Sequence, residues 1–89
     1  LNFMKFSFLP VFVKKFNKLE SALQEEVLEK IELFKDIKNH KQLKVHKLNG
    51  ILSRRYSFSV NYKTRIVFSY LSKTEAVLLA VGDHDVYEK

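Results

Sequence analysis

The sequence predicts an α+β fold in which two helices cover one face of a four-stranded sheet. Apolar residues recur at every second position in residues 3–9, 54–61 and 64–71, as in strands, and at helical spacing in residues 10–37. The 89 residues include only two Gly and one Pro, so there is little material for a linker. We therefore expect residues 1–89 to form a single domain.

The first half of the chain predicts a strand followed by a helical hairpin. Residues 3–9 form the strand, and Pro10 suits the first position of a helix, where its missing N–H costs nothing. Ser21 and Gln24 have the spacing of a capping box, so a second helix is expected to start there and pack antiparallel to the first. Its apolar stripe consists of Leu23, Val27, Ile31 and Phe34.

The second half predicts a loop and a three-stranded antiparallel meander. Periodicity is lost in residues 39–50, whereas the two alternating segments that follow are joined at residues 61–63, a connection short enough for a hairpin. Residues 76–81 are a continuous apolar run, typical of a central strand. The first strand must then join one edge of the meander. The sheet face opposite the helices has no predicted cover, and it would carry Arg55 or Arg65.

Positive charge is concentrated in one part of the chain. Nine Lys or Arg residues and no carboxylate lie between Ile37 and Thr74, and the net charge of the whole chain is +6. A surface of one sign on a small rigid sheet attracts a polyanion, and nucleic acid is the commonest polyanion in a cell. The alternative is an ordinary solvated basic face.

Several kinds of site are disfavoured by composition. The absence of Cys excludes disulfides and thiolate metal sites, and the three His residues are too scattered to indicate a metal site. Two isolated Gly residues cannot form a phosphate-binding loop. No apolar run approaches the length of a membrane span. We therefore expect no metal, no cofactor and no membrane partner.

A basic sheet with nearby histidines suits the cleavage of RNA, because the ribose 2′-OH itself supplies the nucleophile. The protein has to accept a proton from the 2′-OH, donate one to the leaving 5′-oxygen and stabilise a phosphorane. Imidazole titrates close to neutral pH and suits both proton transfers, while the forked guanidinium matches phosphate oxygens. His46, His84 and Arg65 would be a sufficient set without a metal, although a lone histidine in a loop is often simply exposed.

The order of motifs resembles that of the RelE/ParE toxin superfamily, in particular its RelE/YafQ-like branch of mRNA interferases. His46 begins a His-x-Leu-x-Gly pattern, Arg65 is followed by three apolar residues, and His84 belongs to a Gly-x-His pattern close to Tyr87. The resemblance runs over almost the whole chain, including the Phe-rich first strand and the two helices. It implies a RelE-like fold and a cytoplasmic toxin of a type II toxin–antitoxin system.

The resemblance also implies an activity, a set of partners and roles for individual residues. The activity is ribosome-dependent, metal-independent endonucleolytic cleavage of mRNA in the A site, and the partners are the ribosome, mRNA and a cognate antitoxin. The free protein is expected to be a monomer that forms a hetero-oligomer with its antitoxin. His46 and His84 match the general base and acid, in either order, Arg65 the contact to the scissile phosphate, and Tyr87 an aromatic that orients the substrate. The residues expected to position the RNA backbone are Lys44, Lys47, Arg54, Arg55 and Lys63.

Two other functions remain open from the sequence. A ParE-like inhibitor of DNA gyrase needs no catalysis and does not require the histidines. A basic RNA-binding module needs only the positive surface, although such modules usually expose aromatic residues on a strand face. Convergence of His46, Arg65 and His84 on one face is the feature that favours the nuclease.

Overall fold

The sheet has five strands in the order β1-β5-β4-β3-β2 in the computed structural model, which describes residues 3–50, 54–83 and 86. Strand β1 pairs in parallel with β5, and the other neighbouring strands are antiparallel. The elements in chain order are β1 (Lys5–Phe8), α1 (Pro10–Asn17), α2 (Ser21–Phe34), a 3₁₀ helix (Ile37–Asn39), β2 (His46–Lys47), β3 (Tyr56–Ser59), β4 (Arg65–Ser72) and β5 (Glu75–Gly82). The α+β class, the C-terminal meander and the edge position of the first strand are confirmed.

The prediction of four strands is wrong, because β2 adds a fifth at the edge beside β3. His46 pairs with Ser57 and Lys47 with Tyr56, within a segment that the sequence predicts to be a loop. A strand of two residues is too short for side-chain alternation to reveal it in the sequence. The consequence is that His46 lies at a defined register position in the sheet.

The predicted capping box at the start of α2 does not form. Glu20 occupies the N-cap position and Ser21 is already helical, so the Ser21 side chain makes no cap hydrogen bond. The Nε2 of Gln24 instead donates a hydrogen bond of 3.0 Å to the carbonyl of Phe16 at the end of α1. This bond ties the two helices together where the connection between them is short.

Phe34 joins the helices to the sheet at the centre of the core. Its ring is fully buried, stacks on Phe58 with centroids 4.5 Å apart, and packs against the edge of Phe68 at 4.8 Å. His40 also stacks on Phe34, at 4.7 Å, and its Nε2 donates to the Phe34 carbonyl at 2.8 Å. These contacts give His40 a structural role that fixes the chain between α2 and β2.

The sheet face opposite the helices is less open than predicted. Ser57 is fully buried on this face and Val67 is 2% exposed, although Ser59 and Arg65, nearer the strand ends, are half-buried. Strand alternation separates the two faces of a strand but does not reveal which segments outside the sheet pack on them. A ligand on this face would therefore reach the ends of β3 and β4 more easily than their centres.

Candidate catalytic and RNA-binding site

The imidazole ring of His46 is oriented by a hydrogen bond from Nδ1 to the backbone, and its Nε2 makes no such bond to the described residues. The residue is exposed on β2, and its Nδ1 lies 2.8 Å from the carbonyl oxygen of Lys44. A carbonyl oxygen only accepts, so Nδ1 carries the proton in this contact. In the neutral ring Nε2 then has a lone pair available to accept a proton. The arrangement is that of an oriented general base.

The orientation of His46 depends on an unusual backbone conformation at Lys44. The φ angle of Lys44 is 60°, in the left-handed region that side chains other than Gly rarely adopt. Such a conformation costs about 1–3 kcal/mol and persists only where surrounding contacts impose it. Buried Leu43 provides such a contact: its side chain is in the core and its carbonyl accepts from the N–H of Ser59 at 2.9 Å.

Arg65 is the first residue of β4 and lies at the end of the sheet where β5 finishes. It pairs with Ser59 on β3 and with Gly82 on β5. Its Nη1 donates to the carbonyls of Asn61 and of Thr64, the latter at 3.1 Å. Within the described part of the chain these are the hydrogen bonds of the guanidinium, so Nε and Nη2 remain to donate to a phosphate.

His46 and Arg65 lie on the same face of the sheet. His46 pairs with Ser57, which pairs with Val67, and Arg65 is two positions before Val67 on the same strand. Directly paired residues and alternate residues share a face, so all four side chains have one orientation. Two strand spacings and two residues of rise place the Cα atoms of His46 and Arg65 about 12 Å apart. Their long side chains and one phosphate group can cover that span.

The other two predicted catalytic residues, His84 and Tyr87, lie outside the described residues. The described residues include Asp83, directly before His84, and Gly82, which is the residue paired with Arg65. Two of the four predicted catalytic residues are therefore located, and they are on one face.

The nine Lys and Arg residues between Ile37 and Thr74 form almost no ion pairs with the described residues. Lys38 pairs with Asp36 at 3.6 Å, and no other ion pair reaches these nine residues within residues 3–50, 54–83 and 86. Eight of them are exposed and Arg65 is half-buried. Exposed cations with few counter-charges produce a positive potential that a phosphate backbone can neutralise.

The five residues predicted to position RNA do not all share one face. Lys44 lies two residues before His46, and Lys63 lies in the β3–β4 turn, two residues before Arg65. Arg54 and Arg55 are exposed just before β3. Lys47 alternates with His46 on β2 and pairs with Tyr56 on the helix side, so it faces away from His46. Among the five, Lys47 is therefore the residue that the strand register places on the face opposite to His46.

The β3–β4 turn presents a feature beside Arg65 that the sequence pattern does not predict. Tyr62 at its tip is 90% exposed, the most exposed of the large hydrophobic residues that the structure describes. The sequence pattern predicts this turn only as a connection. The available signal was the Asn at its start, since Asn side chains commonly stabilise turns by accepting from backbone N–H groups two or three residues later.

Two further observations concern the chemistry of side chains among the described residues. No group of three or more His, Cys, Asp or Glu side chains that could hold a metal occurs among residues 3–50, 54–83 and 86. Burial raises the pKa of the Tyr70 phenol, and neighbouring Tyr56 raises it further. The phenol therefore stays neutral at physiological pH and brings no negative charge to the basic sheet.

No helix in the described part of the chain is long and apolar enough to cross a membrane.

Comparison by sequence finds no match, whereas comparison by structure finds solved proteins of similar fold. No protein-family model matches the chain, and no curated protein matches it. The toxin–antitoxin complex RelBE2 from Mycobacterium tuberculosis contains a chain that superposes with a TM-score of 0.74 at 18% identity, covering 92% of this chain and 99% of that chain.

Two other solved structures extend the similarity. The archaeal RelE–RelB complex from Pyrococcus horikoshii OT3 has a TM-score of 0.68 at 17% identity, over 90% of this chain and 93% of that chain. YafQ from E. coli has a TM-score of 0.67 at 10% identity, over 93% of this chain and 96% of that chain. The protein therefore has the fold of the RelE/ParE toxin superfamily, as its order of motifs predicted.

Proposed function

We propose that the protein is the toxin of a type II toxin–antitoxin pair and that it cleaves mRNA in the ribosomal A site as a metal-independent endoribonuclease. One observation carries the proposal. His46, with its Nε2 free, and Arg65, with donors to spare, lie on one sheet face of a protein whose described basic residues make few ion pairs. A general base and a permanent cation are what in-line attack by a ribose 2′-OH requires.

The mechanism follows from the two located side chains. The Nε2 of His46 accepts the proton of the 2′-OH as its oxygen attacks the adjacent phosphorus. Arg65 donates to the non-bridging oxygens and stabilises the additional negative charge of the phosphorane. The P–O5′ bond then breaks, which leaves a 2′,3′-cyclic phosphate and a 5′-oxygen that takes up a proton. We assign the donation of that proton to His84, and the orientation of the substrate to Tyr87.

The basic surface has two partners in this proposal. Phosphates of the ribosome and message neutralise Lys44, Lys63, Arg54 and Arg55 during cleavage, since cationic side chains position a nucleic-acid backbone. A cognate antitoxin neutralises the same surface when the toxin is inactive. The RelBE2 and archaeal RelE–RelB structures, which are complexes of this fold with a partner, support an antitoxin for this chain. The chain acts in the cytoplasm as a single toxin domain, monomeric until the antitoxin binds.

Induced expression of the chain alone in a bacterial host tests the proposal. We expect growth to stop, and primer extension to show new 5′ ends within the reading frames of translated messages. The same transcripts carrying a defective start codon should stay intact, because cleavage requires a translating ribosome.

A host whose messages remain whole while growth stops would contradict the proposal. DNA breaks in such a host would instead identify a gyrase inhibitor. The double variant Arg65→Ala/His46→Ala, expressed to the same level, is the matched control and should permit growth.

A further inference from the structure

An aromatic ring is held out in solvent beside Arg65. The side chain of Tyr62 is 90% exposed, whereas four of the eight Phe side chains are fully buried in the core. The carbonyl immediately before Tyr62, that of Asn61, accepts a hydrogen bond from Nη1 of Arg65. Tyr62 therefore directly follows the residue whose carbonyl is hydrogen-bonded to Arg65, the residue proposed to contact the scissile phosphate.

The turn that carries Tyr62 is fixed by its own hydrogen bonds. Oδ1 of Asn61 accepts from the N–H groups of Lys63 at 2.9 Å and of Thr64 at 2.7 Å. The N–H of Val60 donates to the Thr64 carbonyl at 2.9 Å, closing the hairpin. Thr64 is 3% exposed. An exposed ring on a fixed turn loses little conformational entropy when a ligand stacks on it.

A cleft lies between this turn and the start of α2. Its volume is about 460 Å³, and its walls include Tyr62, Lys63, Leu23, Glu20 and Glu26. That volume lies within the range of about 300–1,000 Å³ usual for small-molecule sites. The cleft thus combines an aromatic ring, a cation and carboxylates beside the turn whose Asn61 carbonyl accepts a hydrogen bond from Arg65.

Glu26 is the polar group held in place within this cleft. Its Oε1 accepts a hydrogen bond of 2.9 Å from Nδ2 of Asn61, a contact that spans 35 residues of sequence. Oε2 makes no hydrogen bond to the described residues, and as a carboxylate oxygen it can only accept. It therefore favours a ligand that presents a donor, and the exocyclic amino group of cytosine is a donor at the position where uracil has the O4 acceptor.

We infer that the β3–β4 turn and the cleft behind it bind one unpaired nucleobase of the RNA substrate, and that they prefer a base with an exocyclic amino group. The base stacks on Tyr62, its amino group donates to Glu26, and Lys63 contacts the adjoining phosphate. The inference rests on the proposed function and adds a specificity determinant to it. Part of any sequence preference of cleavage is then read by this turn.

Binding of RNA that cannot be cleaved separates this inference from catalysis. We would measure dissociation constants of the full chain for dye-labelled 2′-O-methyl hexamers of cytidine and of uridine, since methylation removes the nucleophile. We expect the cytidine hexamer to bind about fivefold more tightly than the uridine hexamer. Tyr62→Ala should weaken both by about tenfold, and Tyr62→Phe should retain binding because the ring is kept.

A second variant tests the base preference itself. Gln at position 26 still accepts from Asn61 through its carbonyl oxygen but presents an NH₂ group, so Glu26→Gln is expected to remove or reverse the preference for cytidine. Phe3→Ala is the matched control, since it removes a 61% exposed ring near the other end of the sheet and should change nothing. The inference is overturned by equal wild-type affinity for both hexamers, or by wild-type binding in folded Tyr62→Ala. Failure of the nuclease proposal would appear separately, as intact translated messages.

Discussion

Replacing Arg65 with Ala is expected to lower the rate of message cleavage by about 10²–10³-fold, or about 3–4 kcal/mol, the usual effect of removing one donor to a developing oxyanion. The spare donors of the guanidinium at the end of β4 face the position where we place the scissile phosphate. Single-turnover cleavage of a message in a purified translation system measures the rate. Arg65→Lys keeps the positive charge but loses the forked guanidinium, so its cleavage rate should fall between those of the wild type and Arg65→Ala.

Two checks accompany this experiment. Arg65 also donates to carbonyls of the β3–β4 turn, so the unfolding midpoint of each variant has to be measured and the rates compared where all are folded. Lys73→Ala is the control, because it removes the same amount of charge as Arg65→Ala at a position far from the site. Lys73 lies in the β4–β5 turn, at the far end of β4. A loss of less than tenfold in Arg65→Ala, or an equal loss in Lys73→Ala, would contradict the role of Arg65.

Replacing His46 with Ala should reduce cleavage by about 10²–10⁴-fold, the range for removal of a general acid or base. The loss is expected in the rate of the chemical step and not in ribosome binding, because His46→Ala leaves unchanged the Lys and Arg residues that attract phosphates. Imidazole added to the buffer should restore part of the rate in His46→Ala, since a free base can enter the space that the side chain leaves on exposed β2. Arg65→Ala should show no such rescue.

His40→Ala is the matched control for His46. Loss of the stacking on Phe34 and of the hydrogen bond to its carbonyl should lower the free energy of unfolding by about 1–3 kcal/mol. Its cleavage rate, measured well below its melting temperature, should stay close to that of the wild type. Equal rate losses in both histidine variants would mean that His46 acts through stability and not as a base.

The sequence was sufficient to predict the fold because its long elements have clear periods. The alternation of apolar residues around Phe58 and Phe68, and the helical stripe through Val27, Ile31 and Phe34, all end in the buried core. Short features were missed for physical reasons. Two residues of β2 show no period, and the side chain of Gln24 meets the carbonyl of Phe16, a tertiary contact that local spacing does not reveal.

The site was predictable in its residue types but only partly in its geometry. His46 and Arg65 stand out in the sequence for their chemistry, and their placement on one face depends on the register of β2 against β3 and of β3 against β4. Neither the fixed Asn61 turn nor the exposure of Tyr62 follows from a pattern of apolar residues. The roles of His84 and Tyr87 remain predictions that rest on the resemblance.

The chemical nature of the new RNA ends tests the central claim most directly. A translated message treated with the purified protein and ribosomes, in the presence of a metal chelator that leaves ribosomes intact, should yield 2′,3′-cyclic phosphate and 5′-hydroxyl ends. A single 2′-deoxy substitution at the cut position should block cleavage there. Products with 3′-hydroxyl and 5′-phosphate ends, or cleavage of the 2′-deoxy message, would contradict attack by the ribose hydroxyl, and with it the action of His46 as base and of Arg65 as phosphate contact.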